Sequence, residues 1–218
     1  MKLISVNVGL PRSVMSKGKS VTTSIFKDPV EGRVNLRSLN LDGDRQSDLT
    51  VHGGVDKAVY AYPSEHYDYW RRELPDVQLP WGMFGENLTV VGLFEDQVNV
   101  GDQFRIGSAE LKVTEPRLPC YKLAVKFGRD DIIKRFLQSR RTGFYFAVVQ
   151  EGEVGAGDSI ELTHRDENKL TVAELTRLYL DGRNDVEALK RAISVPSLPD
   201  GWREYFSDQL AKLVEGEL

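Results

Sequence analysis

The sequence predicts a mainly β domain with a few covering helices, followed by a small helical tail, and three observations carry that reading. Up to about Glu161 the apolar stretches are short, often alternate in polarity, and are broken by Gly, Pro and Asp. In Ala109-Glu110-Leu111-Lys112-Val113-Thr114 the apolar residues fall at every second position, as in an antiparallel strand of a barrel or sandwich with one face buried. After about Arg165 only helical periodicity is left. A length of 218 residues suits one principal domain with an appendage, and the division expected is 1–165 for the β domain and 166–218 for a three-helix domain.

Taken in order, Met1 to Val8 reads as an opening strand, lacking the long apolar core and small-residue cleavage site of a signal peptide. Further strands are expected at Val21 to Phe26, Arg33 to Leu39, Lys57 to Tyr62, Asn87 to Val91, Ala109 to Thr114, Phe144 to Val149 and Ser159 to Thr163. Ser64 to Leu74 is helical, with Tyr67, Trp70, Arg71 and Leu74 at helical spacing between Pro63 and Pro75. Arg129 to Gln138 sets Asp130 and Asp131 at the positive end of a helix and Ile132, Ile133, Phe136 and Leu137 on one side. In the tail, Thr171-Val172-Ala173-Glu174 reads as a capping box with Leu170 and Leu175 as its hydrophobic staple, and Asn184-Asp185-Val186-Glu187 as a second cap. Trp202, Phe206, Leu210 and Leu213 form the stripe of a third helix starting near Pro199. So short a tail buries little alone, so it should dock on the barrel, shaping one side of a pocket, or swap onto a neighbour and make a homodimer.

Composition narrows the function. Lys+Arg is 29 against Asp+Glu 33, a formal net charge of -4, which argues against a nucleic-acid binder that works by counterion release. No apolar run approaches the ~20 residues a membrane span needs. With one cysteine, Cys120, no internal disulfide can form, and the expected compartment is the cytoplasm. Spacing removes other classes. Ser13 stands where the first glycine of a P-loop ending in Gly18-Lys19-Ser20 belongs, and no Gly-x-Ser-x-Gly, His-Glu-x-x-His, Cys-x-x-Cys or paired-glycine dinucleotide motif is present.

Three clusters are left. Leu41-Asp42-Gly43-Asp44-Arg45 followed by Val51-His52-Gly53-Gly54-Val55-Asp56-Lys57 combines glycines that free the backbone to present N–H groups to an anion with Arg45, His52 and Lys57 as polar or charged contacts. The same glycines suit plain turns, and the residues leave both readings open. In Phe84-Gly85-Glu86-Asn87-Leu88 a carboxylate and an amide bracing a tight bend is the simpler account. In Glu115-Pro116-Arg117-Leu118-Pro119-Cys120-Tyr121-Lys122-Leu123, prolines rigidify a loop that turns into helix over Tyr121 to Phe127, leaving Cys120 near the helix start beside Arg117 and Lys122. Such surroundings favour a thiolate that attacks electrophiles or ligates soft metals, whereas the commonest fate of a lone cysteine is a small buried apolar residue.

The ordered series Gly43-Asp44, His52 to Ala58, Tyr62 to Trp70, Phe84 to Leu88, Gly101-Asp102 and Pro116 to Leu123 resembles the MOSC domain family, named after the C-terminal domain of molybdenum cofactor sulfurase, and the tail resembles the three-helix domain of its YiiM-type bacterial branch. The resemblance implies a MOSC-type antiparallel β-barrel that binds molybdenum cofactor (molybdopterin), with Cys120 as molybdenum ligand and catalytic residue. It further implies reduction of small N-hydroxylated bases of the 6-N-hydroxylaminopurine type. Arg45, His52, Gly53, Gly54 and Lys57 are then expected to contact the cofactor's phosphate or pterin, with Arg117 and Lys122 tuning the cysteine. No flavin, haem or iron–sulfur motif is recognisable, so electrons are expected from a separate reductase. A non-catalytic carrier of sulfur or of the cofactor on Cys120 is the alternative.

Overall fold

A computed structural model describes residues 1–46, 53–182 and 184–216. Among these the strands are β1 (Lys2–Val8), β2 (Arg12–Ser16), β3 (Lys19–Thr23), β4 (Asp28–Pro29), β5 (Arg33–Leu36), β6 (Val59–Pro63), β7 (Leu88–Val91), β8 (Gln103–Ile106), β9 (Ala109–Pro116), β10 (Phe144–Gln150), β11 (Gly152–Gly155) and β12 (Ile160–His164). The helices are α1 (Glu65–Glu73), α2 (Tyr121–Phe127), α3 (Ile132–Ser139), α4 (Val172–Leu180), α5 (Val186–Ser194) and α6 (Asp200–Glu215).

Eight strands form one sheet in the order β12-β8-β9-β10-β6-β7-β1-β4. Within it β6 and β7 pair in parallel and the other neighbours antiparallel. Helix α1 lies between β6 and β7 in the chain, the crossover that a parallel pair needs. The sheet turns back on itself: Leu3 N donates to Asp158 O (2.9 Å), Gly157 N to Leu3 O (2.8 Å) and Ile160 N to Met1 O (3.1 Å). These bonds join β1 to the approach to β12 across the sheet order, as barrel closure requires.

The barrel core is mostly aliphatic, with Leu3, Val6, Val59, Leu88, Leu111, Val113 and Val154 all fully buried beside Phe104, Phe144 and Phe146. The alternation read in β9 holds through Val113, after which Thr114 to Arg117 are buried on both faces. A second, aromatic cluster packs Tyr62, Tyr67, Trp70, Phe84 and Phe136 beneath α1 and α3. It contains the turn before β7, where Glu86 accepts from Gly82 N (2.8 Å), Phe84 N (3.0 Å) and Thr89 Oγ1 (3.1 Å) as well as from the Tyr67 hydroxyl. A Cβ on Gly85, at φ +83°, would meet Ile25 Cγ1 at 2.9 Å, so both the bend and the close approach call for glycine.

Helices α4 to α6 share a third cluster of Leu175, Leu178, Leu189, Trp202 and Phe206. Thr171 caps α4 by accepting from Glu174 N (3.0 Å), and Asp185 caps α5 by accepting from Ala188 N (3.1 Å). The Glu174 carboxylate meanwhile pairs with Arg191 on α5. Pro199 precedes α6 where the third helix was expected to start. The helical domain docks on its own barrel: Val100 N donates to Leu170 O (2.9 Å), Val172 N to Val98 O (3.0 Å) and Ala173 N to Glu95 O (2.8 Å). Val172 sits in the barrel core and Val100 in the helical one.

Several elements depart from the expected pattern for local reasons. The hairpin β2–β3, turning at Lys17 and Gly18, is largely exposed and so carries little apolar signal. Strand β11 begins and ends in glycine, which reads as turn. Helix α3 starts at Ile132 rather than Arg129, and the Asp131 carboxylate is taken by Arg129 (2.6 Å) and Arg135 (2.7 Å). Together these hold the Asp131 carboxyl well below the usual carboxylate range.

Candidate functional site

Strand β9 ends at Pro116, and the helical backbone resumes only after Pro119 because a residue before proline is pushed away from the helical region. Cys120 is therefore extended, with φ -119° and ψ 174°, directly before α2, and Leu123 N donates to its carbonyl (2.9 Å). Its side chain is half-buried and unbridged.

Cys120 lines two clefts. One lies on the barrel side and gathers Lys27, Lys57, Arg117 and Lys122 around one acid, Asp44. The other runs between barrel and helical domain and is walled by Tyr179, Trp202 and Tyr205. Lys57, Leu118 and Tyr145 line both.

The barrel cleft is cationic and largely desolvated. Lys27 forms an ion pair with Asp44, with side-chain exposures of 9% and 1%. Burial pushes the Lys27 ammonium below its ordinary pKa, opposed by the Asp44 charge. Lys57 reaches Glu115 at 3.3 Å, and Glu115 in turn is raised by burial, against the opposing pull of Lys57. Arg117 is only 5% exposed, with its guanidinium 5.4 Å from the Tyr60 ring centre and 5.1 Å from that of Phe136. Burial pushes the Tyr145 phenol up to about 12 against the opposing charge of Arg117, so it keeps its proton at neutral pH.

Among the described residues two donors in this cleft lack a protein acceptor. Ser24 Oγ and Arg117 Nη1 are buried without a hydrogen-bond partner, and both belong to lining residues. An unsatisfied buried guanidinium nitrogen is costly unless an anion completes it. Behind the wall, Lys126 Nζ donates to Ile25 O (2.9 Å) and Gly82 O (2.5 Å), fixing the segment that carries Ser24 and Lys27. Burial brings Lys126 down to about 8, against the opposing charge of Glu86.

Of the residues singled out from sequence, Cys120, Lys57, Arg117 and Lys122 converge on the barrel cleft. Arg45 is exposed, its backbone N–H bonded to Gly9 O (3.2 Å), and it is outside the lining. Gly53 and Gly54 also lie outside it; Gly54 takes φ +96° before the 3-10 turn Val55–Lys57 that delivers Lys57. His52 falls outside the described residues. Sequence reasoning missed Ser24, Lys27, Tyr145 and Trp202, none of which carries a local motif.

The MOSC domain pattern matches residues 48–161, and the YiiM-like 3-alpha helix domain pattern matches 170–213. The chain belongs to the MOSC domain family. It is 40% identical over 215 residues to "Uncharacterized protein YflK" of Bacillus subtilis (strain 168), covering 99% of this chain and 97% of that one. The crystal structure of YiiM from Geobacillus stearothermophilus superposes with a TM-score of 0.81 at 36% identity, covering 96% of this chain and 98% of that one. A "Reductase" of Gibberella moniliformis (strain M3125 / FGSC 7600) is 33% identical over 186 residues, which are 82% of this chain and 32% of that protein. The family name ties this MOSC domain to molybdenum-related chemistry. Among the described residues no helix is long and apolar enough to cross a membrane.

The residues present fit a pterin cofactor that brings its own metal. Among the described residues no three His, Cys, Asp or Glu side chains converge to cage a bare ion. The thiol beside a cationic cleft instead offers one soft ligand next to a seat for anionic groups.

Proposed function

We propose that this protein binds molybdenum cofactor in the barrel cleft, with Cys120 as a ligand to the metal, and reduces small N-hydroxylated bases of the 6-N-hydroxylaminopurine type in the cytoplasm. The observation that carries the reading is the placement of the chain's one cysteine in a cleft of buried cations, where Arg117 Nη1 and Ser24 Oγ await acceptors. Homology to a protein described as a reductase supports the reaction class.

The balance is R–NHOH + 2 e⁻ + 2 H⁺ → R–NH₂ + H₂O, with the electrons delivered by a separate reductase. The bound cofactor supplies two-electron chemistry at its metal. Arg117 and Lys122 would hold its anionic groups together with Lys57, which also pairs with Glu115, while Lys27, paired with Asp44, shapes the far wall. Tyr145 holds its phenolic proton next to Cys120, and the Glu115 carboxyl, raised by burial, holds a proton more readily than a surface carboxylate. The two flank the place where the N–O bond is to be broken. The helical domain walls one side of this place.

The test is expression in a host that makes the cofactor, followed by assay of bound molybdenum and pterin and of turnover on 6-N-hydroxylaminopurine with an artificial donor. Stoichiometric metal and pterin with turnover support the reading. A chain purified without either, or one loaded yet inert toward N-hydroxylated compounds with any donor, overturns it, and a +32 mass adduct (roughly one sulfur atom) on Cys120 would point to sulfur carriage instead.

A further inference from the structure

The second cleft opens on the same cysteine and shares Lys57, Leu118 and Tyr145 with the barrel cleft. Its outer wall is made of aromatic rings from the helical domain. Tyr179, at the end of α4, lies 5.4 Å from Trp202 at 70° between planes and 5.3 Å from Tyr205 at 45°. Trp202 is 8% exposed and the two tyrosines are half-buried, so the rings are held by packing and present only part of their surface.

The wall is fixed in place on both sides. Arg203 donates to Val195 O (3.1 Å) and Leu198 O (3.0 Å), locking the turn from which α6 starts. Arg140, after α3, pairs with Asp181, after α4. Trp202 and Glu115 both line this cleft, and Glu115 also holds Lys57 (3.3 Å), so the aromatic wall meets the barrel next to Cys120. Tyr145 supplies a further ring from the barrel side.

An aliphatic groove would take any apolar group, whereas ring faces and edges a few ångströms apart favour a flat π system. A carboxyl and an ammonium at one edge add a hydrogen-bond acceptor and a donor, which a hydrocarbon ring would leave unused but a heteroaromatic base would engage. We propose that this cleft is the substrate-recognition subsite: it stacks the planar ring of an N-hydroxylated heteroaromatic base against Trp202 and Tyr205 and turns the exocyclic nitrogen toward Cys120. The helical domain is thereby a specificity element. The inference rests on the reading of Cys120 as the reaction centre for the substrate's orientation, but ring binding is a property of the cleft alone.

The experiment measures equilibrium binding of 6-N-hydroxylaminopurine to the full chain, prepared both with and without cofactor, together with bound molybdenum. Tyr205→Leu should weaken binding by about tenfold or more, the usual scale for losing a base-stacking ring. Trp202→Phe, which keeps a ring and the packing, should weaken it less, and molybdenum content should stay at the wild-type level in both. Purine affinity within twofold of wild type in both variants overturns the inference. The two readings fail separately: wild-type protein purified without molybdenum and pterin removes the cofactor reading while leaving purine binding to be scored, and insensitivity to Tyr205→Leu removes only the subsite.

Discussion

The two clefts that meet at Cys120 are built from opposite materials. The barrel cleft takes its wall from positions scattered through the chain, Ser24, Lys27, Lys57 and Arg117, and what it offers is buried positive charge. The interdomain cleft takes its outer wall from two helices of the tail, and what it offers is aromatic surface. A desolvated cation gains most when an anion arrives, whereas a ring gains by excluding water from a flat neighbour. One side thus suits a charged, permanently held group and the other a neutral molecule that enters and leaves. Recognition of the two is separable, because the helical domain can change its rings without disturbing the barrel's charges.

The strongest way to break that comparison is to remove the residue both clefts share. Cys120→Ala should lower bound molybdenum and turnover by at least about 100-fold, since even outer partners of metal ligands commonly cost 10- to 100-fold. Both clefts should keep their shape, because the thiol is half-buried and forms no disulfide. Metal analysis and steady-state turnover check it, and undiminished activity would take Cys120 out of the mechanism.

Much of this was legible where the signal is local. The α2 limits, Tyr121 to Phe127, follow from a proline that forbids helix before Cys120, and the Thr171 and Asp185 caps follow from side chains that satisfy backbone donors three residues on. The alternation in β9 likewise gave its inward face correctly up to Val113. What stayed hidden depends on folding. Lys27 has no motif of its own and becomes a site residue only because the β3–β4 connection passes beside Asp44 and Cys120. Trp202 was legible as a helix-stripe residue, but not as a wall of the site, because only docking of the tail brings it to Glu115. The parallel β6–β7 pair also escaped, because strand periodicity carries no information about direction.

The next effect concerns the support of the barrel cleft. Lys126 titrates at about 8 in the fold against 10.5 for the free side chain, so the native state sheds this proton first. Between those values the unfolded chain binds more protons, and stability should rise with pH from about 8 to 10.5, by up to roughly 3 kcal/mol. Lys126→Met lacks that increment. Urea unfolding of both proteins at a series of pH values gives the difference directly, and a difference that does not change with pH would show that Lys126 titrates normally.

Arg117 sharpens the contrast from inside the cationic cleft. With Nη1 unpartnered, Arg117→Met should cost about 2 kcal/mol of cofactor binding, more than tenfold in retention, as expected for a hydrogen bond to a charged group. The same change removes a buried charge that no carboxylate among the described residues pairs with, so the cofactor-free protein should not be less stable, and its thermal midpoint should hold or rise. A fall in both quantities would make Arg117 a packing residue rather than an anion contact.

The smallest effect separates the clefts most cleanly. Thr171 sits where the helical domain joins the barrel, bridged to Asn99 and capping α4 through Glu174 N. Thr171→Ala leaves that N–H without its acceptor and should cost about 1 kcal/mol of stability. Helix α4 carries Tyr179 at its far end, so loosening its start acts on the aromatic wall. The barrel-cleft cations Lys27 and Lys57 are held by Asp44 and Glu115 instead. Binding of 6-N-hydroxylaminopurine should therefore weaken measurably in this variant while its molybdenum content stays at the wild-type level. If both fell together, the two clefts would be one cooperative unit, and the helical domain would be holding the cofactor as well as the substrate.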